Sequence, residues 1–215
     1  MATLRLWSWN MSPFAGKARI VLAEKGVEYQ LLEIHPVRRP ARLRELNPTG
    51  RVPVLEVDGV AIRESTAICE WLEEVYPEPA LWPGDPALRG AARGMLRFVD
   101  DELTINFFLP MRKEAFGLDP TDPPDLVSQL RERLVKRWPT VEKLLGQTAG
   151  PWFMGGPEPT LVDLAAMPLA VRLPEWKPEL APDAESFPRT TAWLDALRAR
   201  PSMAEVGRKG ERVEG

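Results

Sequence analysis

The pair Glu64-Ser65 offers the most chemistry in this chain. Ala67, Ile68, Trp71, Leu72 and Val75 follow it at helical spacing along one face, so a helix is expected to begin at Ser65. A helix start presents free N–H groups, a hydroxyl and the positive end of the dipole to an anion. Glu64, one residue earlier, presents a carboxylate to a cation. Together the two suit a zwitterion, such as the α-amino-acid end of a small molecule. Val52-Pro53 lies just ahead of a strand, and a cis proline there would leave the preceding N–H and C=O unpaired and open to a ligand. Between Pro36 and Arg51 stand Arg38, Arg39, Arg42, Arg44 and Arg51 against a single acid, Glu45. One or two of these guanidinium groups could hold a ligand carboxylate; a solvated basic face is the other reading. Ser12-Pro13 reads on spacing as an N-cap followed by proline at the first helical position.

These groups need elements to hold them. Leu4 to Asn10 is apolar on both faces, which suits a strand buried on both sides in a parallel or mixed sheet. A helix follows from Ser12 to Lys25, stopped by Gly26. Glu28 to Ile34 reads as a second strand, so strand, helix and strand form a right-handed βαβ unit. Pro36 to Arg51 reads as a connector. Val54 to Val57 ends on Asp58-Gly59, a strong hairpin signal, and Val60 to Ile62 is the returning strand. Four prolines between Pro77 and Pro86 mark a linker.

Beyond the linker nothing resembles a strand. Leu88 to about Phe116 reads as one helical stretch with Pro110 a kink near its end. A loop spans residues 117–125, and a second helix runs from Leu126 to about Leu145, with Pro139 implying a kink or a break after Trp138. Thr160 and Asp163 form a capping-box layout ahead of the apolar run Leu164 to Leu173. Pro188 to Arg200 gives a last amphipathic helix, and the tail GRKGERVEG is expected to fray.

Composition excludes several classes. The 215 residues suffice for two modest cores. Hydrophobic residues at 44% and charged residues at 27% are ordinary for a soluble globular protein, and no apolar run approaches membrane-spanning length. The N-terminus lacks the layout of a secretory signal. A net charge of −3 gives no field that favours nucleic acid. The single cysteine, Cys69, permits no internal disulfide and reads as packed core, and the single histidine, His35, permits no multi-histidine metal centre. A metal-free cytoplasmic protein with no membrane and no nucleic-acid partner is the resulting expectation.

Five segments in register carry a resemblance: SPFAGKARIVLAEKG at 12–26, NPTGRVPVLEVDG at 47–59, ESTAICEWLEE at 64–74, TLVDLAA at 160–166 and RPSM at 200–203. Over nearly its whole length the chain resembles a cytosolic-type glutathione transferase, of a serine type akin to bacterial, tau, zeta or omega members. The resemblance implies a thioredoxin-like α/β domain (βαβ-ββα) over residues 1–80, a linker at 81–87 and an all-α domain over 88–215, usually in a homodimer. It implies glutathione as co-substrate, with Val52-Pro53 holding the cysteinyl backbone and Glu64-Ser65 gripping the γ-glutamyl end. Phe14, Arg39 and Arg51 complete the implied glutathione site, the arginines as candidates for the glycine carboxylate. Thr160 and Asp163 resemble the family's folding box and are assigned to stability.

Free glutathione thiol titrates near ~8.5, so little of it is thiolate at neutral pH. A hydroxyl and a helix N-terminus presented to the sulfur stabilise the anion. Ser12 is placed for both, and the resemblance makes it the expected donor to the thiolate, with Asn10 an alternative. No cysteine stands at position 12 and no tyrosine precedes Tyr29, which sets aside the cysteine and tyrosine types. The second-substrate wall is expected from Met11 and Phe14, with Phe107, Phe108 and Met111. The expected activity is attack of the thiolate on a small hydrophobic electrophile. A glutathione-dependent isomerase or dehalogenase would use the same site. A rival of another class is a non-catalytic relative that binds a partner protein or regulates transcription. Such proteins tend to lose ligand residues, which here are all present.

Overall fold

Strand β1 (Leu4–Ser8) has four of its five residues buried, and it takes the inner position that such a strand needs. The chain leaves it through α1 (Pro13–Glu24), returns as β2 (Gln30–Ile34) parallel to β1, and passes through α2 (Ala41–Leu46). Strand β3 (Val54–Val57) then runs antiparallel to β1, with Trp7 opposite Val54, and β4 (Val60–Arg63) runs antiparallel to β3. Asp58 and Gly59 turn this hairpin with φ of +47° and +89°, the left-handed pair that a tight two-residue loop requires. Helix α3 (Ser65–Val75) follows, burying Ile68, Cys69 and Leu72 against the sheet side of the unit. The computed structural model describes residues 3–117 and 119–214; Leu118, within the expected loop, and Gly215, at the end of the tail, lie outside the described residues.

Two local expectations are corrected in this unit. The connector after Pro36 contains helix α2, which buries only Leu43 and Leu46 among its arginines. Two apolar residues are too few to show a period in sequence. Arg42 on that helix pairs with Glu56 of β3 at 2.9 Å, so one of the five arginines serves the sheet. The tail does not fray. It forms β5 (Glu211–Val213), parallel to β2, and the sheet order among the described residues is β4-β3-β1-β2-β5. The residues from Ala204 on therefore cluster with those up to Ala80 in one compact unit, while Leu81–Met203 form the other. Strand addition of this kind uses backbone groups, which leave no apolar signature. Gly210 admits it: a Cβ there would lie 2.3 Å from the Leu31 carbonyl oxygen.

The second unit is built of helices and the loops between them, with no strand among its described residues. Asp85 caps α4 (Pro86–Phe98) through the Leu88 N–H at 2.8 Å, so the helix starts two residues before the expected Leu88. The expected single stretch is continuous to Phe116: a π-helical turn, Val99–Thr104, links α4 to α5 (Ile105–Phe116), which runs on through Pro110. The next expected helix is two, α6 (Leu126–Val135) and α7 (Trp138–Leu145). Its break falls before Trp138, because Pro139 is tolerated in the first turn of α7 and needs no partner for an N–H it lacks. Short α8 (Leu161–Leu164), α9 (Met167–Trp176) and α10 (Pro188–Arg198) follow. Their core is built around Trp138 and Trp193, both nearly inaccessible to solvent.

The folding-box pair is realised in full. Asp163 is completely buried, and its Oδ2 accepts the Thr160 N–H at 2.9 Å and hydroxyl at 3.0 Å. Its Oδ1 accepts the Phe153 N–H at 2.9 Å and the Trp193 indole N–H at 3.1 Å. Burial pushes this carboxyl upward in pKa, and all of those donors pull against the shift.

Candidate active site

Strand register gathers the chemical groups at one end of the sheet. Trp7 lies opposite Val54 and Val54 opposite Arg63, so the exit of β1, the start of β3 and the exit of β4 share that end. Ser12 follows the first, Val52-Pro53 precedes the second, and Glu64-Ser65 follows the third. Because β2 is parallel to β1, the turn after Ile34 and the arginines beyond it begin at the same end.

Ser12 is 5% exposed and caps α1: its Oγ accepts the Ala15 N–H at 3.3 Å, and proline follows at the first helical position. Its own N–H reaches the Trp9 carbonyl at 2.9 Å, closing a turn through Asn10 and Met11. Phe14 is half-buried, with the Lys17 ammonium 5.9 Å from its ring centre. Met11 is half-buried as well.

The Val52–Pro53 peptide is cis. Pairing of β3 ends at Val54, so the backbone of Val52 lies outside the ladder. Arg51, just before it, is exposed. Arg39 is half-buried, and its Nε donates to the Pro36 carbonyl at 3.0 Å. His35 accepts the N–H groups of Val37 and Arg38 at 3.2 and 3.1 Å on Nδ1, a local turn role.

Glu64 has φ of +66°, a conformation that a non-glycine side chain adopts at a cost and that recurs at ligand sites. No side chain caps α3, whose first residue, Ser65, is buried. Lys17 approaches the second residue of that helix, donating to the Thr66 hydroxyl at 3.1 Å.

Lys17, Arg19 and Glu33 are the polar residues that spacing did not single out. Lys17 and Arg19 are both almost wholly enclosed. A signal existed: α1 is buried nearly all round, so charges inside it require partners. A cleft of about 510 Å³ opens at the same sheet end, with Trp9, Asn10, Glu33, Arg38 and Arg212 among its walls.

In the helical unit, Phe107 is fully buried and stands edge-on to Trp176 at 5.8 Å, and Met111 is 7% exposed. Phe108 is half-buried.

A mixed sheet that collects an N-capping serine, a cis-proline turn and an acid-serine helix start at one end, followed in sequence by an all-helical unit, defines the glutathione S-transferase fold. Models of the glutathione S-transferase N-terminal and C-terminal domains match residues 6–80 and 98–201. The chain belongs to the glutathione S-transferase family. It is 31% identical to glutathione S-transferase omega-1 of Mus musculus, over 92% of this chain and 78% of that protein. It is 28% identical to maleylacetoacetate isomerase of Mus musculus, over 82% of this chain and 81% of that one. A solved glutathione S-transferase of Rhodospirillum rubrum superposes with a TM-score of 0.79 at 28% identity, covering 95% of this chain and 91% of its own.

Proposed function

We propose that the protein is a cytoplasmic, homodimeric glutathione transferase that presents a stabilised glutathione thiolate to a small hydrophobic electrophile. Ser12 would donate its hydroxyl proton to the sulfur at the N-terminus of α1, with the helix dipole adding to the stabilisation. The Val52 backbone would pair with the cysteinyl residue, Glu64 would meet the γ-glutamyl ammonium, and Ser65 with the start of α3 would meet its carboxylate. Pro53 shapes that turn. Arg51, with Arg39, would take the glycine carboxylate. Met11 and Phe14 offer the electrophile apolar surface close in sequence to Ser12. Anion stabilisation and the joint positioning of two reactants would carry the rate, with no metal involved. Two-fold pairing is the commonest oligomer, which supports the dimer.

The observation that carries this reading is the convergence of Ser12, Val52-Pro53 and Glu64-Ser65 at one sheet end. An isomerase would need the same thiolate, and the 28% identity to a maleylacetoacetate isomerase supports that second activity. The deciding experiment is a pH titration of glutathione thiolate absorbance with excess protein. A midpoint clearly below that of free glutathione is expected. An unshifted midpoint would overturn both catalytic readings and favour a protein-binding relative. Turnover of electrophiles against turnover of cis-olefinic substrates then separates transferase from isomerase.

A further inference from the structure

Asn10 lies in the turn that delivers Ser12, and both ends of its peptide are held by charged side chains. Its N–H donates to Glu33 Oε1 at 2.8 Å, and its carbonyl accepts from Arg19 Nη2 at 3.3 Å. Arg19 comes from α1 and Glu33 from β2, so the turn is gripped by two elements. Arg19 is 0% exposed and spends its other donors close by: Nη1 meets the Ser8 hydroxyl at 2.5 Å and Nε the Glu205 carbonyl at 3.0 Å. The last of these bonds ties the C-terminal segment into the same cluster. Burial pushes the Glu33 carboxyl upward in pKa, opposed by the Asn10 N–H, the Arg19 charge, the Gly210 N–H and Lys209.

Enclosing a charge such as the Arg19 guanidinium is an inefficient way to gain stability, since apolar replacements of similar volume often match or exceed it. Apolar residues could not bind an N–H and a C=O of one residue from opposite sides. What the charges supply is a fixed turn conformation, and the turn sets where the Ser12 hydroxyl points.

We propose that Arg19 and Glu33 are positioning residues that, with the C-terminal segment, lock the Asn10 turn and thereby aim the Ser12 hydroxyl at the glutathione sulfur. The proposal rests on the thiolate-stabilising function argued above. Loosening either bond lets the turn sample other orientations, and thiolate stabilisation falls without loss of the remote contacts that bind glutathione.

The test uses full-length Arg19→Lys, Glu33→Gln and Gly210→Ala, each checked for fold by circular dichroism and thermal melting. Gly210→Ala lifts the tail, because its Cβ cannot fit against Leu31, and so withdraws the Gly210 N–H from Glu33 while keeping the Arg19 and Glu33 side chains. The expected result is a bound-thiol midpoint displaced toward free glutathione by about one pH unit in Arg19→Lys and Glu33→Gln, equivalent to a tenfold loss of thiolate. The kcat should fall about tenfold while KM for glutathione stays within about twofold. Gly210→Ala should move in the same direction by less. Folded variants whose midpoints and kcat match the wild type would overturn the proposal while leaving the function standing. Failure of all three variants to fold would also overturn it, making the cluster purely architectural. If the wild-type midpoint itself is unshifted, the underlying function fails and the proposal with it.

Discussion

The Ser12 hydroxyl oxygen accepts the Ala15 backbone N–H at 3.3 Å, which commits a lone pair to the start of α1 and leaves the hydroxyl proton to donate. Capping and catalysis are therefore compatible in this residue and can be separated by substitution. Ser12→Ala removes both: a loss of about 1 kcal/mol in stability is expected from the missing cap, and a fall on the order of 10²-fold in kcat from the missing donor. Ser12→Asp keeps an acceptor for the Ala15 N–H but sets a carboxylate beside the sulfur. Its melting temperature should stay near the wild type while the bound thiol titrates higher than in Ser12→Ala. Full activity in Ser12→Ala with only a stability loss would reduce the residue to a cap.

Glu64 combines a carboxylate with backbone strain, at φ of +66°. Replacement by glycine relieves about 1–2 kcal/mol of left-handed strain, offset by roughly 0.5–1 kcal/mol for the freer unfolded chain. Glu64→Gly is thus expected to melt slightly higher than the wild type. It also loses the charge proposed to meet the ligand ammonium, and an ionic hydrogen bond of ~1.5–3 kcal/mol corresponds to a tenfold or greater loss of glutathione affinity. Calorimetric unfolding and glutathione binding on one preparation would show the trade; a variant that binds glutathione normally sinks it.

Much of this site was legible in the amino-acid sequence, because its parts are local. Asp58-Gly59 has a backbone requirement that only one kind of turn meets, and Ser12-Pro13 and Glu64-Ser65 announce helix starts by residue type alone. What escaped is non-local. Helix α2 buries two leucines and shows no period. Strand β5 joins an edge through backbone pairing. The apolar surroundings of Arg19 in sequence say that it needs partners, but which ones, Ser8, Asn10 and Glu205, is settled only by folding.

Asp163 tests the separation of stability from chemistry. Each of its carboxylate oxygens accepts two donors, so Asp163→Asn turns one oxygen into an amide nitrogen that faces donors. Leaving buried donors without acceptors costs about 1–3 kcal/mol, and a loss near the upper end is expected in urea unfolding. Glutathione affinity measured on the folded fraction should not change. A variant that stays as stable as the wild type would remove Asp163 from the framework of the helical unit.

Glu142 gives a prediction with a pH signature. Its carboxylate accepts the N–H of Arg189 at 3.1 Å and both the N–H and the hydroxyl of Thr190 at 2.8 Å, capping the start of α10 from α7. Partial burial works to raise its pKa, but these donors hold it below the ordinary carboxylate value. A carboxyl lowered on folding contributes stability that is present above its unfolded value and is lost as pH falls through its folded one. Glu142→Gln keeps one acceptor and removes the charge, so it should be less stable than the wild type by about 1 kcal/mol at pH 7. That gap should close as the pH falls below the ordinary glutamate value and through the lowered folded one, where the wild-type carboxyl takes up its proton. Melting curves of both proteins between pH 7 and pH 3 read the gap directly. A gap that stays constant over that range would show that the stabilisation is one of shape rather than charge.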